Sequence, residues 1–179
     1  MKVSIKSLLA LAIIAAPGFA AAANTIVFKG EVTDQTCVVA IDGSANPTVL
    51  LDSAPVSDFA AVNDTSTPTP FTVSLTGCTV DAANPQNFTT EFLANNATAS
   101  GNMLNTAAGG ATGVALQLLD AVGGAQVDLS AGAVEAGTIV LPAGDTSTSY
   151  RYEVQYVSEA AAVTPGAVES AVTYAVRYE

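Results

Sequence analysis

Hydrophobic residues recur at every second position in one short segment after another along this chain. TIVFKGEV (25–32), PTVLL (47–51), FTVSLTGC (71–78), FTTEFLA (88–94), VALQLLD (114–120), TIVLPAG (138–144), YRYEVQY (150–156) and the closing AVTYAVRY (171–178) all follow the pattern. A period of two marks extended strands with one face in a core. Asn84-Pro85, Gly109-Gly110, Gly123-Gly124, residues 142–144 and Pro165-Gly166 punctuate them as turns. Residues 114–119, the Gly123-Gly124 pair and residues 127–129 read as a β-hairpin. The Ala-rich stretches 54–61 and 160–162 can hold a turn of helix but show no sustained 3.6 period. Short strands between turn clusters predict an all-β sandwich of antiparallel sheets without internal repeats.

The last strand poses a problem. Val172, Tyr174, Val176 and Tyr178 share one face, yet only Glu179 follows them. A strand with an apolar face needs cover on both edges, and no residue is left to form its next neighbour.

The leading residues change the picture. MKVSIKSLLALAIIAAPGFAAAA has two lysines, an apolar run over 8–16 and small residues at 20–23, the layout of a secretory signal peptide. Cleavage is expected after Ala22, and Pro17-Gly18 interrupts the apolar run well short of a membrane span. What remains suits one domain. It keeps Lys29, Arg151 and Arg177 against 16 carboxylates, a balance that repels nucleic acid and anionic lipid and keeps an exported protein soluble. Cys37 and Cys78 are the only cysteines. In an oxidising compartment such a pair forms a structural disulfide, and closing a loop of about 40 residues is worth roughly 4 kcal/mol on the chain-entropy argument.

Catalysis and cofactors find little purchase. The chain has no histidine, which removes the usual general base and metal ligand. No G-x-S-x-G, H-E-x-x-H or P-loop occurs. Two of the carboxylates could in principle act as an acid and base pair, but they are dispersed through turn-rich sequence. Asn63, Asn87 and Asn96 head N-x-T triplets, a pattern short enough to occur by chance.

Several stretches resemble one family. ANTIVFKGEVTDQTC (23–37) is similar to the amino-terminal extension, first strand and first cysteine of pilin subunits from chaperone-usher fimbriae, such as type 1 and P pili. FTVSLTGC supplies the second cysteine at the family's spacing. TPGAVESAVTYAVRYE places Gly166 fourteenth from the end and Tyr178 penultimate, and GVALQLLDAVGGAQVDL (113–129) looks like the central hairpin. The extension before the first strand is short, closer to minor subunits and some single-major-subunit fimbriae.

The resemblance implies an incomplete immunoglobulin-like β-sandwich that lacks its last strand and is completed by a donor strand from a neighbouring subunit. It divides the chain into a signal peptide (1–22), a donor-strand extension (23–32) and a pilin domain (33–179). Ile26, Phe28, Gly30 and Val32 share the donor face. Val172, Tyr174, Val176 and Tyr178 border the receiving groove, and Gly166, Tyr178 and Glu179 fall at positions a periplasmic chaperone reads. Gly166 also suits an ordinary turn after Pro165, Gly30 a bulge, and Tyr178 a plain strand aromatic. Lys29 and Arg177 read as solvated strand residues. The implied partners are other pilin subunits in a head-to-tail polymer, the chaperone, an outer-membrane usher and host receptors met through the assembled fimbria. The implied location is the cell surface, reached through the periplasm. The resemblance implies no cofactor and leaves no room for the lectin domain that precedes the pilin domain in tip adhesins. Two rivals are a complete monomeric sandwich binding a sugar or receptor, and a carboxylate hydrolase.

Overall fold

The computed structural model describes residues 36–79 and 81–179. The strand expected at 25–32, with Ile26, Phe28, Gly30 and Val32, lies outside the described residues. Among the described residues, eight strands run in chain order: β1 (Val38–Ile41), β2 (Thr69–Thr76), β3 (Gln86–Ala94), β4 (Met103–Leu104), β5 (Val114–Leu119), β6 (Val134–Leu141), β7 (Ser147–Ser158) and β8 (Val172–Tyr178). They form a five-stranded sheet in the order β1-β2-β7-β5-β4 and a three-stranded sheet in the order β6-β3-β8. Every strand ladder is antiparallel.

Alternation decides what each sheet turns inward. Phe71, Val73 and Leu75 of β2, Leu116 and Leu118 of β5, and Tyr152 and Val154 of β7 meet Phe88 and Phe92 of β3 and Ile139 and Leu141 of β6 in one cluster. Tyr152 sits at its centre with no exposed surface. Its ring stacks on Phe71 at 5.6 Å between centroids and meets Phe92 edge-on at 5.1 Å. Its hydroxyl donates to the Ala136 carbonyl at 2.8 Å, satisfying the one polar atom that burial would otherwise strand. Burial pushes its pKa up to about 12.

Several expectations need correction. Residues 47–51 form no strand, and β1, which pairs with β2, lies earlier at Val38–Ile41. Val49 and Leu51 pack on the core while Leu50 between them is 86% exposed, so the alternation there is genuine but has no ladder. The return arm expected at 127–129 reduces to a bridge between Leu119 and Gln126 and a hydrogen bond from Val127 N–H to the Leu118 carbonyl. Leu129 N–H turns instead to the Gly101 carbonyl. Of the Ala-rich stretches, 54–61 holds a single 3-10 turn at Val56–Asp58, and 160–162 holds no helix.

β6 begins at Val134, four residues before its expected start, because Gly137 sits in a bulge of its ladder with β3. Gly137 has φ of 68°, and a Cβ there would run into the rings of Tyr150 and Tyr152. No side chain fits, so the alternation breaks at that point. Beyond the core, Glu159 accepts from Thr98, Ser100 and Asn102. Asn102 Oδ1 in turn accepts from Gln126 and Gln117, and the chain of contacts fixes loop 96–102 against β5 and β7.

Candidate functional site: the margin along the last strand

β8 forms as expected and pairs with β3, from Phe88 opposite Tyr178 to Ala94 opposite Val172. Among the described residues, the only ladder of Val172 to Val176 is that one. Val172, Tyr174 and Val176 point inward and pack on the core, but all three are only half-buried. Val39, Val49 and Leu51 are in the same condition near the start of the domain. The Tyr174 hydroxyl donates to the Ala45 carbonyl at 3.0 Å, joining β8 to the segment that follows β1. These residues form a core margin with incomplete cover. The segment 39–51 and the Tyr174 contact with it were not anticipated, because residues 47–51 looked like a self-sufficient strand.

The carboxyl end is fastened. Glu179 N–H donates to the Asn87 carbonyl at 2.9 Å, and Tyr178, 40% exposed, lies edge-on to Phe88 at 5.6 Å. Arg177 is not the solvated residue expected. Its Nε and Nη2 grip the Glu91 carboxylate at 2.9 and 3.0 Å, and Nε lies 3.8 Å from Glu135. The pair is two-pronged and partly buried, the arrangement for which a planar guanidinium is suited. A lone glutamate inside FTTEFLA was the available signal.

Gly166 also changes meaning. It lies in no turn and its φ is not left-handed. A Cβ there would meet the backbone of Gly110 and Ala111, and one on Gly110 would meet the Ala167 carbonyl. The two glycines let segments 106–112 and 164–169 lie backbone to backbone. Ala111 N–H bonds the Ala167 carbonyl at 2.9 Å and Thr106 N–H the Glu169 carbonyl at 2.8 Å. Asn105, unnoticed in the sequence, stitches the two together: Nδ2 donates to the Ala111 and Ala167 carbonyls, and Oδ1 accepts from Glu169 N–H. Gly166, Val168, Tyr156 and Phe59 help to line a pocket of about 210 Å³ beside this seam.

At the other end of the domain, Cys37 and Cys78 are disulfide-bonded, with Cα atoms 4.0 Å apart. The link joins the residue before β1 to the residues just after β2. Thr36 Oγ1 donates to the Gly77 carbonyl alongside it.

A sandwich with a half-covered last strand, a disulfide at its entrance and a fastened carboxyl end agrees with the comparisons. The family model described as "Fimbrial protein" matches residues 26–179. The chain belongs to the fimbrial protein family. It is 36% identical to the F17 fimbrial protein of Escherichia coli over 157 residues, covering 86% of each chain. Among solved structures, the P pilus rod subunit PapA aligns with a TM-score of 0.61 at 20% identity, over 80% of this chain and 99% of that one. The CupB6 tip adhesin of Pseudomonas aeruginosa aligns with a TM-score of 0.52 at 21% identity, over 68% of this chain. This fimbrial chain spans a third of that longer protein. The structural likenesses speak for the fold, an incomplete immunoglobulin-like sandwich, while the family makes the chain a structural subunit of a cell-surface fimbrium, polymerising with other pilin subunits, and not an enzyme.

Proposed function

We propose that this fimbrial subunit polymerises head to tail by donor-strand exchange: residues 23–32 of one copy fill the margin beside β8 of the next. The observation that carries the reading is the state of Val172, Tyr174 and Val176, inward-facing residues of a strand laddered, among the described residues, on one side only. Strand addition is an established mode of recognition in chaperone–pilin complexes, so the mode itself is not deduced from this chain. The contact is heterologous and does not close, and it therefore gives a filament.

Side-chain size favours one alignment. Four inward-facing donor residues, Ile26, Phe28, Gly30 and Val32, match four positions on β8, Val172, Tyr174, Val176 and Tyr178. In the antiparallel direction usual for such sandwiches, full overlap puts Gly30 opposite Tyr174. Tyr174 is the bulky residue whose hydroxyl already reaches Ala45, and a residue without a side chain is the one that passes it. Burying Ile26, Phe28 and Val32 contributes about 5 to 9 kcal/mol at roughly 1.5 to 3 each, and main-chain bonds add about 1 kcal/mol net apiece.

Before polymerisation the margin needs a temporary occupant, which supports a periplasmic chaperone, with Tyr178 and Glu179 in its reach, followed by transfer at an outer-membrane usher. Residues 1–22 direct export and are then removed. Adhesion to host receptors would be a property of the assembled fimbria. Deleting residues 23–30 is expected to leave a subunit that folds with its chaperone yet is missing from surface fibres viewed by electron microscopy. Normal fibres from the deletion would refute the reading, and Gly30→Leu is expected to block assembly in the same assay.

A further inference from the structure

We propose that Lys29 of the donated segment forms a charge network across the joint with Glu91 and Glu135 of the receiving copy, and that this network fixes the register of the inserted strand. The proposal rests on the donor-strand reading above.

The outward face of the small sheet carries the argument. Ala175 of β8 lies opposite Glu91 of β3, and Glu91 lies opposite Glu135 of β6. The three make one row across the sheet, with an exposed methyl group at its margin and two carboxylates beyond. Arg177, on the same face, holds Glu91 closely but stands 3.8 Å from Glu135, whose side chain is 58% exposed. The donor's outward residues are Val27, Lys29 and Glu31, and those of β8 are Thr173, Ala175 and Arg177. Lys29 and Ala175 are the middle members of these triplets, so full overlap pairs them whichever way the donor runs. The main chains of Lys29 and Glu91 are then two strand spacings apart, about 10 Å. The four-carbon stem of lysine crosses the small Ala175 and brings its ammonium to the carboxylates. After loss of residues 1–22 the other cations are Arg177, already in this cluster, and Arg151, on β7 in the other sheet.

The same row acts against errors. A one-residue slip turns the donor's apolar face to solvent, but a two-residue slip keeps it inward and must be rejected some other way. In the antiparallel direction, one such slip sets Lys29 beside Arg177 and Glu31 in the row of Glu91, and like charges side by side destabilise a sheet. The opposite slip brings Phe28 against Tyr174. Only full overlap satisfies both the apolar and the charged rows.

The test uses fibres assembled from the full chain and their dissociation rate in urea at 20 mM and 1 M NaCl. Lys29→Met fibres are expected to dissociate about two- to five-fold faster than unaltered fibres at low salt, the scale of a partly exposed ion pair. The difference is expected to vanish at high salt, and Lys29→Arg to retain the slower rate. Lys29→Glu is expected to be worse than Lys29→Met or to fail to assemble, and Lys29→Glu with Glu135→Lys to recover. Equal low-salt rates for Lys29→Met and the unaltered chain, a difference that survives 1 M NaCl, or no recovery in the charge swap would overturn the network. If any of these occurs while deletion of residues 23–30 still abolishes fibres, donor exchange stands and the network alone falls. If the deletion polymerises, both fall.

Discussion

β7 and β8 use the same residue types in the same alternation and end in opposite conditions. β7 is flanked by β2 and β5, and its inward Tyr152 and Val154 are buried. β8 is laddered to β3, and its inward Val172, Tyr174 and Val176 are half-buried. Hydrophobicity alone does not separate them. What differs is the cover each strand receives from the described fold. All three inward residues of β8 fall short of burial, as do Val39, Val49 and Leu51 on the same margin, whereas in β7 Tyr150 and Tyr156 fall short and the inward residues between them are enclosed.

Substitutions at matched positions in these strands should expose that contrast. Tyr152→Ala removes a fully enclosed ring and is expected to cost about 3 to 5 kcal/mol, enough to abolish a folded state in urea titration of the refolded chain. Tyr174→Ala should cost that same chain clearly less, and its main effect should appear in fibre yield. An equal loss at both positions would erase the distinction. Replacing Cys37 and Cys78 by serine is expected to lower stability by about 2 to 5 kcal/mol, read from the same titration with and without reductant on the unaltered chain. Tyr174→Phe keeps the ring and drops only the bond to Ala45, an expected cost of about 0.5 to 1.5 kcal/mol.

The smallest effect concerns acid. Burial alone would raise the Glu159 carboxyl, but hydrogen bonds from Asn102, Thr98 and Ser100 together outweigh it and hold the group below its ordinary value. A carboxylate depressed in the folded state stabilises fully above its unfolded value and loses that contribution as pH falls through the folded one. The unaltered chain should therefore lose more stability than Glu159→Gln over that acidic interval, with parallel behaviour between there and neutrality. Hydrogen exchange in loop 96–102 would locate the change.

Much of the sandwich was legible because seven of its features are local: β2, β3, β5, β6, β7 and β8 announce themselves by alternation, and the cysteine pair by its isolation. Residues 47–51 alternate just as clearly and form no strand. Alternation reports which side chains face a core, whereas a strand also requires a neighbour for its main chain, which no local pattern encodes. The same limit hid β1, whose partner is β2, and the Tyr174–Ala45 contact, which spans 129 residues of sequence. Asn105 and Gly166 were opaque for a related reason. Their value lies in bringing two distant loops together, and one residue in a loop carries no period. Arg177 was misjudged because its partner lies 86 positions away.

The covalent bond between Cys37 and Cys78 acquires a mechanical meaning in a fibre built as proposed. Tension arriving through the leading arm enters the domain at Cys37 and crosses the sulfur atoms directly to the far side of β2. The 41-position segment between the cysteines is thereby taken out of the load path, so about 140 Å of extended chain cannot be drawn out however hard a shear flow pulls on the filament.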